Sequence, residues 1–157
     1  MMSDTKQIEK ALLLGIDIGG TKTAVCLADE TGCIQLKKRM ASIPERGPED
    51  WLQRCRTLIE ELLCEAGRTL DELSVVGISA PGPLSAKSGT LLNAPNMTGW
   101  DEVPVVDMFR TFLPDPIVMN NDANAAALAE WTFGKYKGVD GLVYLTMSTG
   151  LGAGIIV

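Results

Sequence analysis

The sequence predicts an α/β protein with a mixed central sheet, in which an antiparallel meander comes first, parallel strands follow, and helices flank them. Three observations point there. Short β-rich runs separated by turn residues fill positions 12–40, one 3.6-periodic apolar stripe starts at residue 48, and strand-like runs then alternate with helical segments. A chain of 157 residues has room for about one domain and can hide roughly 70% of its unfolded surface.

Residues 12–18 form an apolar run ending at Gly19-Gly20, and residues 23–28 resume with alternating small and apolar side chains, so both read as strands about a glycine turn. A third run, 33–40, follows the turn Asp29-Glu30-Thr31-Gly32 and completes the meander. From Pro48 the period changes. Trp51, Leu52, Cys55, Leu58, Ile59, Leu62 and Leu63 make the stripe of an amphipathic helix, with Pro48, Glu49 and Asp50 suited to its first turn and Gly67 to its stop. Residues 73–79 read as a buried strand, broken by Pro81-Gly82-Pro83. Residues 84–100, rich in Gly, Pro, Ser and Asn, read as a long functional loop or a small hairpin. Pro104 suits the first turn of a second helix with the apolar face Val105, Val106, Phe109, Phe112 and Leu113. Residues 117–119 are a strand that runs into Asn120-Asn121-Asp122 and an alanine-rich helix to about Phe133, ended by Gly134. Two last apolar runs, 142–147 and 153–157, hinge on residues 148–152 as a second glycine-turn hairpin. A strand, a glycine-rich turn carrying a threonine, and a strand thus occur twice, and two such turns can grip one polyphosphate from two sides.

Composition removes several functions. With 20 acidic and 14 basic side chains the net charge is −6, and no basic cluster offers a partner for nucleic acid. No apolar run approaches the roughly 18 residues that cross a bilayer, so no membrane partner is expected. Residues 1–10 read as a polar leader of mixed charge rather than a secretory signal, so the expected location is the cytoplasm. Cys26, Cys33, Cys55 and Cys64 are dispersed and the chain has no histidine, so free thiols are expected and a zinc site is not.

Residues 15–23, G-I-D-I-G-G-T-K-T, miss the P-loop pattern by one position, with Thr21 where lysine belongs. The segment that follows has β character instead of the helix a P-loop must open, so that reading fails on context. A glycine hairpin can still bind phosphate, because glycine lets backbone N–H groups come close while Thr21 and Lys22 add a hydroxyl and a positive charge. Asp17 can hold Mg²⁺ through water. A plain turn with Gly19-Gly20 chosen for its dihedrals explains the same residues. Asp122 is a candidate general base toward a substrate hydroxyl in phosphoryl transfer, a reaction in which positioning matters more than base strength. Its structural alternative is capping of the helix that it opens. Asn121 offers both a donor and an acceptor, as polyol recognition requires. Ala125, Ala126 and Ala127 suit close helix packing. Residues 148–154, S-T-G-L-G-A-G, lack the spacing of the dinucleotide fingerprint and lie between strands. Trp51 and Trp131 read as packing, whereas Trp100 stands between packing and a ligand platform.

Together these segments resemble the ROK family of sugar kinases and related repressors. The matching residues are G-I-D-I-G-G-T-K-T at 15–23, S-A-P-G-P-L at 79–84, N-A-P-N-M-T-G-W at 93–100, N-N-D-A-N-A-A-A-L-A-E at 120–130 and S-T-G-L-G-A-G at 148–154. The resemblance implies an actin-like ATPase (ribonuclease H-like) lobe. It implies that Asp122 is the catalytic base and that Asn121 binds the sugar, with the loops at Gly82 and at Asn93, Asn96, Thr98 and Gly99 nearby. It also implies that Asp17, Gly19, Gly20, Thr21 and Lys22, with Thr149 and Gly150, hold the phosphates of ATP and Mg²⁺.

Family repressors carry a helix-turn-helix domain ahead of the kinase-like part, and here about ten polar residues precede the first strand, so repression of DNA is not expected. The family also continues into a second lobe that carries a His/Cys zinc motif, further sugar contacts and the adenosine pocket. The expectation is therefore a leader at 1–10, an N-terminal lobe at 11–135, and at 141–157 the first hairpin of a C-terminal lobe that is otherwise absent. That hairpin's unpaired edge implies disorder, docking on the first lobe, or pairing with another copy in a homo-oligomer. The expected function is the N-terminal lobe of an ATP-dependent, glucokinase-like kinase of a hexose or N-acetylhexosamine, nearly inert alone. The alternatives are a non-catalytic sugar-sensing module and an actin-like structural ATPase lobe.

Overall fold

In β1 (Leu12–Ile18) the alternate residues Leu12, Leu14, Ile16 and Ile18 are buried, while Gly15 and Asp17 turn to the other face of the sheet. This period of two makes the strand two-sided, and its neighbours repeat the pattern. The computed structural model describes residues 11–94, 97–147 and 151–157. β2 (Lys22–Asp29) and β3 (Ile34–Ala41) complete the antiparallel meander, with Ile18 opposite Thr23 and Thr23 opposite Met40. Helix α1 (Pro48–Ala66) buries Trp51, Cys55, Ile59, Leu62 and Leu63 on the sheet's apolar face. It ends where Gly67 turns left-handed and the Arg68 N–H reaches Leu63 O. β4 (Leu73–Ala80) then enters parallel to β1.

Three short strands, β5 (Leu84–Ser85), β6 (Thr90–Asn93) and β7 (Asp101–Val103), form a separate sheet. The sequence offers a hairpin there, and the extra strand D-E-V is short and mostly charged, with only Val103 buried. Helix α2 (Val105–Arg110) starts one residue later than expected, with Pro104 outside it as the N-cap. It is also shorter, because Phe112 and Leu113 belong to a closing turn in which both of their N–H groups bond to Phe109 O. β8 (Ile117–Asn121) runs parallel to β4 and completes the main sheet in the order β3-β2-β1-β4-β8. Helix α3 (Asp122–Phe133) follows at once.

β9 (Leu142–Met147) and β10 (Leu151–Ile156) make an antiparallel hairpin, so the hinge is shorter than the sequence suggests. One face of the hairpin docks on α3, with Gly154 buried against Ala123, while Val143, Leu145, Met147, Leu151 and Ile155 stay exposed on the other. No helix among the described residues is long and apolar enough to cross a membrane.

Two carboxylates stabilise the fold conditionally. The Arg54 guanidinium bonded to Asp50, with Arg46 nearby, holds the Asp50 carboxyl below its usual range, and the Thr69 N–H does the same for Glu72. Because the folded values are depressed, this stabilisation is present above the unfolded carboxylate pKa near 4 and is lost as pH falls through the folded one. Thermal unfolding should therefore shift to lower temperature on acidification, and Asp50→Asn should flatten that dependence.

Candidate functional site

The parallel strands β1, β4 and β8 all end at one edge of the sheet. Their register sets Asp17 opposite Ser79 and Ser79 opposite Asn120, a polar row across the carboxyl ends. In open α/β sheets this is the edge where ligands bind. The β1–β2 turn lies at the same edge, and α3 begins there directly after β8. As a result Asp17, Ser79 and Asp122 line one cleft of about 450 Å³, walled by the alanines Ala125, Ala126 and Ala129 of α3 and closed by Tyr144 and Thr146 of β9. Asp17 near the end of β1 and the carboxylate at the mouth of the alanine-rich helix therefore face a common space, whereas Gly19, Gly20, Thr21 and Lys22 at the tip of the ribbon are not among the residues that line it. Ala125 and Ala126 line this cleft, and it is Ala123 and Ala127 that are fully buried in packing.

The helix cap separates the two roles that the sequence left open for Asp122. The N-cap is Asn121, whose Oδ1 accepts the Ala123 N–H at 3.0 Å. Asp122 is the first helical residue; it is exposed, and its Oδ1 accepts the same N–H at 2.7 Å. Capping does not depend on the carboxylate. Asn121 Nδ2 also packs against Gly82, where a Cβ would come within 3.2 Å of it, so these two residues adjoin.

The glycine turn is held from below. Gly19 N–H bonds to Lys22 O at 3.0 Å, and a Cβ on Gly19 would sit 2.9 Å from that same oxygen, so the turn cannot carry a side chain there. Gly20 follows, and Thr21 and Lys22 project into solvent one turn beyond Asp17. Asn93, Thr98 and Gly99 are exposed on and beside the small sheet and do not line the cleft. Asn96, Thr149 and Gly150 lie outside the described residues. Trp100 is a packing residue: it is buried, its ring meets Trp51 edge-on at 5.2 Å between centroids, and its indole N–H bonds to Pro44 O.

Asp17 and Asp122 bring carboxylates to a cleft whose lining contains no lysine or arginine. Oxygen donors of this kind suit a hard cation that keeps much of its water, as Mg²⁺ does. No cluster of three or more His, Cys, Asp or Glu occurs among the described residues, so the chain builds no all-protein metal cage there. On the same face of the sheet a larger groove, about 710 Å³, runs over Gly15, Ala24, Cys26 and Gly77. Burial pushes the Cys26 thiol up and the Cys55 thiol to about 12, whereas Cys33 and Cys64 are exposed. Alkylation near pH 8 should label Cys33 and Cys64 first, Cys26 slowly, and Cys55 only after unfolding, as peptide mass mapping would report.

The sequence pattern of the ROK family matches residues 13–157. The chain belongs to the ROK family. It is 35% identical over 147 residues to a glucokinase of Thermotoga maritima, covering 94% of this chain and 45% of that protein. It is 34% identical over 146 residues to a putative xylose repressor of a Caldicellulosiruptor species, covering 93% of this chain and 36% of that protein. The solved ROK glucokinase of Streptomyces griseus, in complex with glucose and AMPPNP, superposes with a TM-score of 0.80 at 36% identity, over 94% of this chain and 45% of that one. The chain thus spans about half the length of these ROK glucokinases. The actin-like ATPase fold expected from the sequence is the fold of these neighbours. Sequence reasoning missed Ser79, Tyr144 and Thr146 in the cleft. Ser79 opens the quoted S-A-P-G-P-L motif, and its place at the end of a strand parallel to β1 was the available signal.

Proposed function

We propose that these residues are the N-terminal lobe of an ATP-dependent ROK sugar kinase that phosphorylates a hydroxyl of a hexose or N-acetylhexosamine. The observation that carries this reading is the single cleft lined by both Asp17 and Asp122 at the carboxyl ends of the parallel strands. Asp122 accepts the proton of the sugar hydroxyl as the hydroxyl oxygen bonds to the γ-phosphorus and ADP departs. An exposed carboxylate suffices, because the loose transition state needs alignment more than a strong base. Asn121, fixed by its cap bond and by Gly82, presents its amide to the sugar, with the loop carrying Asn93, Asn96, Thr98 and Gly99 alongside. The turn from Gly19 to Lys22 cradles phosphate oxygens with the Thr21 hydroxyl, the Lys22 ammonium and N–H groups other than that of Gly19, which is bonded to Lys22 O, and Thr149 and Gly150 of the second glycine-rich turn add further donors. Asp17 would hold Mg²⁺ through water, and the ion would neutralise charge on the transferring phosphoryl group.

On this reading residues 141–157 begin a second lobe, which the greater length of the relatives supports, and the packing of that lobe would cover the exposed apolar face of the hairpin. The 157-residue chain alone is then nearly inert, with half of both substrate sites missing. A coupled ADP assay over a panel of hexoses and N-acetylhexosamines tests this. Sugar-dependent ADP release should come from a protein containing both lobes and not from this chain; turnover by the chain alone would refute the division of labour. A sugar-responsive regulator is the second reading, raised by the relative named as a putative xylose repressor. Sugar binding without sugar-dependent ADP release by the two-lobe protein would support it.

A further inference from the structure

We propose that the strap Ser42-Ile43-Pro44, keyed by Trp51, is a positioning device that ties the glycine turn at 19–22 to the loop ending at Trp100, so that the two ends hold or lose their order together. Its functional meaning rests on the reading of these ends as phosphate and sugar elements. At one end the Ser42 N–H bonds to Thr21 O, and the Ser42 hydroxyl bonds to Gly19 O. At the other end Pro44 O accepts the Trp100 indole N–H at 3.1 Å.

Proton counting fixes the direction of the buried chain between them. The one hydroxyl proton of Ser42 goes to Gly19 O, so the 3.0 Å contact with Thr23 is donated by the Thr23 hydroxyl. Thr23 Oγ1 in turn accepts the Trp51 indole N–H at 2.9 Å. Thr23, Ser42 and Trp51 are fully buried, so each link lacks water as a substitute partner. The Trp51 ring then meets Trp100 edge-on, which makes one side chain the neighbour of both ends.

Between Ser42 and Pro44, Ile43 adopts a left-handed backbone, φ 49° and ψ 59°, which is rare for a β-branched residue. Such a conformation persists only where its surroundings over-determine it. Here the surroundings are the two Ser42 bonds, the Pro44 bond and the Arg54 guanidinium, which donates to Ala41 O and Ser42 O. The strap is stiff, and stiffness is what transmits a displacement from one end to the other.

Amide hydrogen exchange of the 157-residue chain, without ligand, tests the coupling. Trp100→Phe keeps a ring against Trp51 but deletes the donor to Pro44. It should speed exchange at the far Gly19 and Ser42 amides about fivefold, the equivalent of one ordinary hydrogen bond, and leave the amides of β4 unchanged. Thr23→Val should in turn speed exchange at the Met97 and Trp100 amides, and Thr23→Ser should restore them. In an Ile43→Gly background, which removes the strained φ and the stiffness with it, Trp100→Phe should no longer reach Gly19. Changes confined to the substituted end, β4 amides rising in parallel, or a remote effect that survives Ile43→Gly would each overturn the proposal. If Trp100→Phe does not fold, the Thr23 pair and Ile43→Gly carry the same test. No nucleotide or sugar enters these measurements, so a kinase reading that fails in the ADP assay leaves this outcome standing or falling separately.

Discussion

Asp122→Asn, introduced into a protein that carries both lobes, is expected to lower kcat by roughly 10²–10⁴-fold while the KM for sugar changes by less than about threefold. The geometry makes this a clean substitution. The helix cap is Asn121, and the Asp122 bond to the Ala123 N–H uses an Oδ1 that asparagine also possesses. What disappears is a negative charge at the first turn, which contributes about 0.3–1 kcal/mol through the helix dipole, and the ability to take a proton. Melting temperature should accordingly move little. Asn121→Ala gives the complementary pattern: it deletes the cap, at about 1 kcal/mol, and the amide proposed to meet the sugar, so stability should fall and KM should rise. A loss of kcat in Asp122→Asn matched by an equal loss of folded protein would return Asp122 to a structural role. Retained turnover would end the kinase assignment of that carboxylate.

The contrast between those neighbours also marks how far the sequence could be read. Periods of two and 3.6 were sufficient for the meander, for α1 and for the parallel strands, because each of those elements buries one side against a common core and its pattern is local. Asn121 and Asp122 could not be told apart by pattern, since both are cap formers and the boundary between β8 and α3 fell between them. β7 went unread because its pairing with β6 depends on a loop closing around it, and α2 was overextended because a helical stripe and a closing turn place Phe112 and Leu113 alike. In the site, Asp17 and Asp122 were legible from their motifs. Ser79 was legible only as the polar end of a strand, because its place beside Asp17 follows from the register of a parallel pair separated by β2, β3 and α1, which no local rule encodes. Tyr144 and Thr146 were hidden for a related reason: alternation along β9 shows that they share a face, but only the docking on α3 decides that this face closes the cleft.

Gly154→Ala should detach that closing wall, and its effect should exceed that of any other alanine substitution in the hairpin. A Cβ at this position would lie 2.2 Å from Ala123 O and 2.7 Å from the Ala127 Cβ. The first obstacle is helix backbone at the capped start of α3, which cannot rotate aside as a side chain can. Forcing a methyl group into such a contact costs about 1–3 kcal/mol or more, and the hairpin can escape it by lifting away, since its other face has no partner among the described residues. Amides of β9 and β10 should then exchange nearly unprotected while those of β1 and β4 keep their protection. Gly152→Ala is the milder comparison, because there the nearest atom, at 2.9 Å, is the Cγ2 methyl of the Thr146 side chain and not helix backbone. Ala127→Gly should not rescue Gly154→Ala, for it removes the softer of the two obstacles and leaves the carbonyl in place. Because the hairpin brings Tyr144 and Thr146 to the space between Asp17 and Asp122, the same substitution in a two-lobe protein should depress kcat although it changes no group that touches phosphate. Wild-type exchange in β9 and β10 of Gly154→Ala would mean that α3 yields at Ala123, and the cleft would then have a movable floor in place of a fixed one.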